Sequence, residues 1–464
     1  MQKLFDEVNT LDQRCYNKFG LTEDILMEHA ANAIADFIHS NFQKGTKVLV
    51  VCGSGNNGAD GLALARILHQ DYNVKIFCVK QAKTQMAKIQ MRRALAVGGE
   101  FIQELEESDI LVDAFLGTGC NNQFLLKTTS LMQDINALNS YKIACDIPSG
   151  IMQDGKCDPN TFQADTTLSM GALKKSMYSD SAKEFLGNVQ VVNLGISRQI
   201  YETSSNWNLL DISDLKLPFR NKKNTHKGTY GHLAVLSGEK TGASVMSGLS
   251  ALKFGVGLVT LVSKKEPINP HYSLMYSEQR PENATALALG MGLGTDYDER
   301  SLNAFLDNKL PLIADADIFY MPHILTLLQR ENVILTPHPK EFVSLLKITK
   351  LASITVEELQ VNRFKYADIF SKAFPNITLL LKGANVIITQ NTKFFINPHG
   401  TPALAKGGSG DILSGLIGSL LAQGNSCLHS TLHANLAHTK LTQDYKGADF
   451  SLTPSDLIQA IGDL

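Results

Sequence analysis

The chain has 464 residues, a formal net charge of −2, 44% hydrophobic and 19% charged residues. That apolar content offsets the entropy of ordering, so the chain folds, and at roughly 100–200 residues per domain it holds more than one domain. No basic excess marks a nucleic-acid partner. No apolar run, residues 412–422 included, is long enough to cross a membrane.

In chain order, residues 22–40 predict a helix, with Thr22 as N-cap and Glu23 and Asp24 in the first turn. Short apolar, β-branched runs at 47–52, 74–79, 110–113 and 142–146 predict strands, with helices at 61–69 and 82–97 between them. That alternation implies βαβ units and a parallel sheet. A polar stretch ending at 221–228 marks a boundary, giving domains 1–205 and 206–464. The second half restarts the α/β rhythm, with strands at 232–236, 258–262, 311–315, 333–336, 379–382 and 386–389 and helices at 243–254 and 412–422. Seven cysteines without C-x-x-C, and an N-terminus lacking a leader's apolar core, imply reduced thiols and a cytoplasmic location.

Directly after the first of these strands comes Gly53-Ser54-Gly55-Asn56-Asn57-Gly58-Ala59-Asp60-Gly61. Gly53, Gly55 and Gly58 satisfy G-x-G-x-x-G, which lets backbone N–H groups approach a phosphate. An NAD-binding fingerprint also wants an acid at the end of the next strand, but here that strand runs into Val79-Lys80-Gln81. Asp113 and Asp146 close two further strands, each followed by a glycine-containing loop. Carboxyl ends of parallel strands share one edge, so these loops are expected to converge.

The stretches NNGADG, VDAFLGTG and DIPSG resemble the NAD(P)H-hydrate epimerase family, over roughly the first 200 residues. The resemblance implies a Rossmann-like domain that interconverts the R and S forms of hydrated NADH and NADPH (NADHX and NADPHX). It implies that the substrate is held by Asn56, Asn57, Gly58, Ala59 and Asp60, by Gly117, Thr118, Gly119, Cys120, Asn121, Asn122 and Gln123, and by Asp146. It also implies a potassium ion on Asn57, Asp113 and Ser149, whose oxygen donors suit a hard cation. Asp146 is the candidate acid/base. Lys174 is either its neighbour or a solvated charge. Ala59 stands where the family usually has a second glycine.

In the second half, Lys406-Gly407-Gly408-Ser409-Gly410-Asp411 precedes a helix, putting an anion hole beside a carboxylate. Phosphoryl transfer needs such positioning and charge neutralisation, and no P-loop motif is present. Thr336-Pro337-His338-Pro339-Lys340-Glu341 and Lys382-Gly383-Ala384-Asn385-Val386 also follow strands, as does the glycine loop ending at Gly294. Residues from about 210 onward resemble the ribokinase-like NAD(P)H-hydrate dehydratase family, with Met291 a departure in the glycine loop.

That resemblance implies nucleotide binding by Lys382, Gly383, Ala384, Asn385, Val386 and Gly410. Ala243, Gly294, His338 and Asp411 would face the hydrated ring, with Asp411 the catalytic base. ADP, with Mg²⁺, is the expected co-substrate and AMP a product, and a homo-oligomer is expected. The competing reading is a small-molecule kinase preceded by a regulatory nucleotide-binding domain; a phosphorylated product would identify it. His429 and His433 are spaced i, i+4, but no adjacent Glu or third ligand motif supports metal binding.

Overall fold

The computed structural model describes residues 1–117, 128–264, 270–294, 297 and 299–464. The chain divides into two compact units, Gln2–Trp207 and Asn208–Leu464. Among the described residues no helix is long and apolar enough to cross a membrane.

The first unit is built on strands β2 (Lys47–Cys52), β3 (Asn73–Cys78), β4 (Glu100–Ile102), β5 (Ile110–Ala114), β6 (Tyr141–Cys145), β7 (Thr166–Met170) and β9 (Asn188–Val192). They form a seven-stranded sheet in the order β4-β3-β2-β5-β6-β7-β9, parallel throughout. Outside that sheet, β1 (Gln2–Phe5) pairs with β8 (Leu173–Lys174). The period-2 alternation of β2 divides its side chains between two faces. Val48, Val50 and Cys52 pack with helices Glu23–Asn41 and Asn56–Leu68. Leu49 and Val51 pack with Met132 and Ile135 of helix Thr129–Ala137. The sheet is therefore buried on both faces.

The second unit carries β10 (Trp207–Leu209), β11 (His232–Leu236), β12 (Leu258–Val262), β13 (Met275–Ser277), β14 (Ala286–Leu289), β15 (Leu312–Ala314), β16 (Val333–Leu335), β17 (Thr378–Leu381), β18 (Val386–Gln390) and β19 (Lys393–Asn397). Their order is β13-β12-β11-β14-β15-β16-β17-β18-β19-β10. The sheet is parallel from β13 to β17 and turns antiparallel through β18 and β19. Helix Ser409–Ala422 is buried along most of its length and joins Leu233, Val235 and Ile313 in one core.

Two expectations about helix starts are corrected. The helix placed at 61–69 begins at Asn56, so the polar residues read as loop form its first turn. The helix placed at 412–422 begins at Ser409, which puts Asp411 inside the first turn. Both errors have one cause: glycine lowers helix propensity, yet a glycine-rich first turn is tolerated where packing fixes it. Thr22 sits at the N-cap position but its side chain makes no capping bond.

Candidate active sites

In the first unit, two glycines are forced by backbone contact. A β-carbon on Gly53 would lie 1.8 Å from the Phe115 carbonyl oxygen, and one on Gly58 2.0 Å from that of Gly53. The turn after β2 therefore folds tightly against the end of β5 and onto the start of its own helix. Ala59 is helical and buried, so the residue that replaces the family's second glycine needs no left-handed backbone.

Asp113 is buried and densely bonded. It accepts from Ser149 Oγ at 2.7 Å, Ser149 N at 2.8 Å and Phe115 N at 3.1 Å. Burial pushes its carboxyl up to about 6, against the pull of those donors. Ser149 Oγ in turn accepts from Leu116 N at 2.8 Å. Asn57 lies beside Gly117, whose β-carbon would come 3.6 Å from that of Asn57. Both polar atoms of the Asn57 side chain are buried and take no hydrogen bond among the described residues. An orphaned amide within reach of this loop fits a ligand that supplies the missing partner, and its oxygen suits a hard cation.

Asp146 follows β6 with φ of 71°, a left-handed conformation that Asp tolerates better than most residues. It accepts from Met170 N at 2.9 Å and pairs with Lys174 Nζ. Lys174 is fully buried and also reaches Ser169 Oγ at 3.1 Å and the Met170 carbonyl at 3.3 Å. Of the two readings of Lys174, the structure selects the neighbour: it is a strut behind Asp146, not a solvated charge.

A cavity of about 510 Å³ opens over this edge, lined by Asn56, Asn57, Asp60, Gly117 and Asp146 among others. That volume lies within the range of small-molecule sites. Burial, then the carboxylates of Asp146, Asp12 and Glu23, pushes the Asp60 carboxyl well above the usual range. Thr118, Gly119, Cys120, Asn121, Asn122 and Gln123 lie outside the described residues.

Sequence reasoning missed part of this wall. Asp12 and Tyr201 both line the cavity, and Tyr201 donates to Asp12 Oδ1 at 2.7 Å. They come from opposite ends of the unit, so no local spacing could have paired them. Lys80 and Lys83 line it too; Lys80 had been noted only as the absence of an acid.

In the second unit, Gly408 takes φ of 90° at the helix N-cap and Gly410 leaves room for Lys382, whose Nζ would lie 3.4 Å from a β-carbon there. Lys382 Nζ donates to Asp315 Oδ1 at 2.6 Å, and Ser414 donates to Asp315 Oδ2 at 2.7 Å. Asp411 is pushed up to about 6, first by burial and then by Asp315, with Lys382 opposing. Lys406 is not at the anion hole; its ammonium holds the carbonyls of Phe450 and Leu452.

His338 caps helix Pro339–Ile348. Its Nδ1 accepts from the N–H groups of Lys340 at 3.1 Å and Glu341 at 3.3 Å, which leaves the hydrogen on Nε2, 3.1 Å from Glu341 Oε1. Burial and Lys382 hold its pKa below the usual value. Burial and Asp315 push Glu341 up to about 7. Gly294 N donates to Asp317 Oδ2 at 2.8 Å, and a β-carbon on Gly292 would meet that of Ala243 at 3.0 Å. His338 and Asp411 thus both feel the charges of the Asp315–Lys382 pair, while Gly294 is tied to Asp317 and Ala243 packs beside Gly292. Gly383 and Ala384 are exposed in the β17–β18 turn, while Asn385 and Val386 are buried. Asp315 holds the centre of this cluster because it closes β15 beside the ends of neighbouring strands, a placement that local spacing does not report.

The His429 and His433 rings meet tilted at 57°, with centroids 4.0 Å apart, and His433 Nδ1 accepts from Lys216 N at 3.1 Å. Among the described residues no group of three or more His, Cys, Asp or Glu is placed to hold a metal ion.

A family model described as NAD(P)H-hydrate dehydratase matches residues 233–462, and one described as YjeF-related protein N-terminus matches residues 23–176. The chain is 42% identical to a bifunctional NAD(P)H-hydrate repair enzyme of Helicobacter pylori, over the whole of both chains. It is 32% identical to the protein of that name in Coxiella burnetii, covering 87% of this chain and 86% of the relative. Among solved structures, the ADP/ATP-dependent NAD(P)H-hydrate dehydratase of Bacillus subtilis is 28% identical, covering 54% of this chain and 94% of that one, with a TM-score of 0.46.

Proposed function

The chain belongs to the bifunctional NAD(P)H-hydrate repair enzymes, and we propose that its two units divide that work. Unit Gln2–Trp207 epimerises R and S forms of NADHX and NADPHX; unit Asn208–Leu464 dehydrates the S form at the expense of ADP, giving AMP and phosphate.

The observation that carries the division is Asp411. It stands in the first turn of a helix whose N-terminal N–H groups form an anion hole, beside a lysine, with a carboxyl pushed up to about 6. A base of that strength is ionised at neutral pH yet accepts a proton readily. Asp411 takes the proton of the ring hydroxyl as its oxygen attacks the terminal phosphoryl group. Lys382 and the helix N-terminus neutralise charge on the transferring group. That attack releases AMP, and departure of phosphate together with a proton from the neighbouring ring carbon then restores the ring double bond. Mg²⁺ is expected to arrive with the nucleotide and to share its charge.

In the first unit, Asp146 is the proton-transfer group, held in one orientation by Lys174 and Met170 N. Opening and reclosing the ring at the hydrated carbon moves a proton in each direction, which one carboxylate can serve. Asn57, Asp113 and Ser149 would hold a potassium ion; the orphaned Asn57 amide supports that assignment. The reading also takes the enzyme to be cytoplasmic and homo-oligomeric, the latter checked by sedimentation.

The test is to incubate the protein with mixed R and S NADHX, with ADP or ATP, and follow the return of dihydronicotinamide absorbance. Full conversion of both epimers is expected, faster with ADP. Conversion of only the S fraction would remove the epimerase assignment; a stable phosphorylated product would favour the kinase reading.

A further inference from the structure

The charge around the first cavity is divided. Asp12, Asp60 and Asp146 line it, the charges of Asp12 and Asp146 acting on Asp60, and Lys80 and Lys83 line it as well. Lys174 is not available to an anion, because its ammonium is buried and committed to Asp146, Ser169 and the Met170 carbonyl.

Sheet topology orders these groups. From β2 the chain runs outward to β3 and β4, then crosses back to β5 on the opposite side. The crevice between the carboxyl ends of β2 and β5 is the switch point, across which an open α/β sheet lays a dinucleotide. Asp146 follows β6, on the β5 side. Lys80 follows β3, on the other side, and the chain there is tied to the glycine turn: Val79 N donates to the Cys52 carbonyl at 3.0 Å, and Lys83 N to the Ser54 carbonyl at 2.8 Å. The helix start between them has no side-chain cap and presents open N–H groups to a bridging pyrophosphate.

The ring that undergoes epimerisation belongs with the acids, which leaves the adenosine ribose over the end of β3. An acid at that strand end binds a free 2′-hydroxyl, and a cation accommodates a 2′-phosphate. This chain has two cations there. We propose that the first site is built for the phosphorylated dinucleotide, with Lys80 and Lys83 receiving the 2′-phosphate of NADPHX and Lys80 deciding between NADPHX and NADHX. This rests on the epimerase reading above and names the substrate that the reading leaves open. The ammonium groups act as point charges, so the preference weakens as salt rises.

The experiment measures epimerisation of each form separately, by chromatographic separation of R and S, with no nucleotide added. The full-length chain should favour NADPHX by about 10–100-fold in kcat/KM, the range expected of one or two charged hydrogen bonds. Lys80→Asp, at an exposed position, should bring the ratio to one or below, with the change mainly in KM for NADPHX; Lys83→Ser should lower it in part. Equal kcat/KM for the two forms in the unaltered chain, or an equal loss for both in Lys80→Asp, overturns the inference, the second by assigning the lysines to the shared pyrophosphate. A chain that epimerises neither form brings down the epimerase reading itself.

Discussion

In the first unit Asp146 lies against the ammonium of a fully buried lysine; in the second, Asp411 has Asp315 and Asp317 for neighbours and shares Lys382 with Asp315. Both carboxylates sit where a glycine turn meets the sheet edge, yet their surroundings serve different ends. The Asp146–Lys174 pair fixes a side chain in place. Burial, with Asp315 adding to it and Lys382 opposing, leaves Asp411 a stronger base than a solvated aspartate. The difference teaches that the same residue types at the same kind of strand end can be an orienting device or a tuning device, depending on which partner is buried.

The sharpest way to separate the two sites is Asp411→Asn. Loss of a general base should cut dehydration by about 10²–10⁴-fold, while epimerisation stays within about twofold because Asp411 lies in the other unit. A variant keeping most of its nucleotide-dependent rate would leave Asp411 as a helix-start residue only.

Next comes Lys174→Met. Removing one member of a buried pair strands the other, at a cost of about 3–5 kcal/mol, seen as lost hydrogen-exchange protection in β6 to β8. A variant as well protected as the unaltered chain, with kcat alone reduced, would recast Lys174 as a group that meets substrate.

The pH dependence should differ between the sites. With Asp411 at about 6, the dehydration rate should be flat above that pH and fall about tenfold per unit below it, as the base becomes protonated. The sign matters for stability as well. A carboxyl raised in the folded state favours the protonated folded form, so Asp411 takes stability away as pH rises from the unfolded value near 4 through about 6. A rate that climbs toward acid pH would exclude Asp411 as the base.

The smallest effect is expected at Asn57. Replacing an orphaned buried amide with an apolar group of similar shape removes a desolvation cost of about 1–3 kcal/mol. Asn57→Leu should therefore be as stable as the unaltered chain without potassium, or slightly more so, and should lose any rise in Tm produced by potassium over sodium. A potassium-dependent rise that survives in Asn57→Leu would place the ion elsewhere.

Legibility in the sequence followed the range of the forces involved. Strands β2, β5 and β11 were plain because continuous apolar runs bounded by turns signal burial on both faces. Strand β7, Thr-Thr-Leu-Ser-Met, was missed: its threonines and serine are buried and satisfied, Thr167 donating to the Leu186 carbonyl at 2.6 Å. Local pattern cannot report partners that far away. Asp113, Asp146 and Asp411 were legible as candidates because strand ends and glycine turns announce where a parallel sheet binds ligands.

What the sequence determined alone was the alternation of strands and helices, the glycines that backbone contact demands, and the residue types at each sheet edge. These depend on steric limits and burial patterns that act over a few residues. Only the tertiary structure decided which charges meet. Tyr201 reaches Asp12 across 189 positions and Lys382 reaches Asp315 across 67. Charge interactions depend on distance in space and on the exclusion of water, and neither is written in the spacing of residues along a chain.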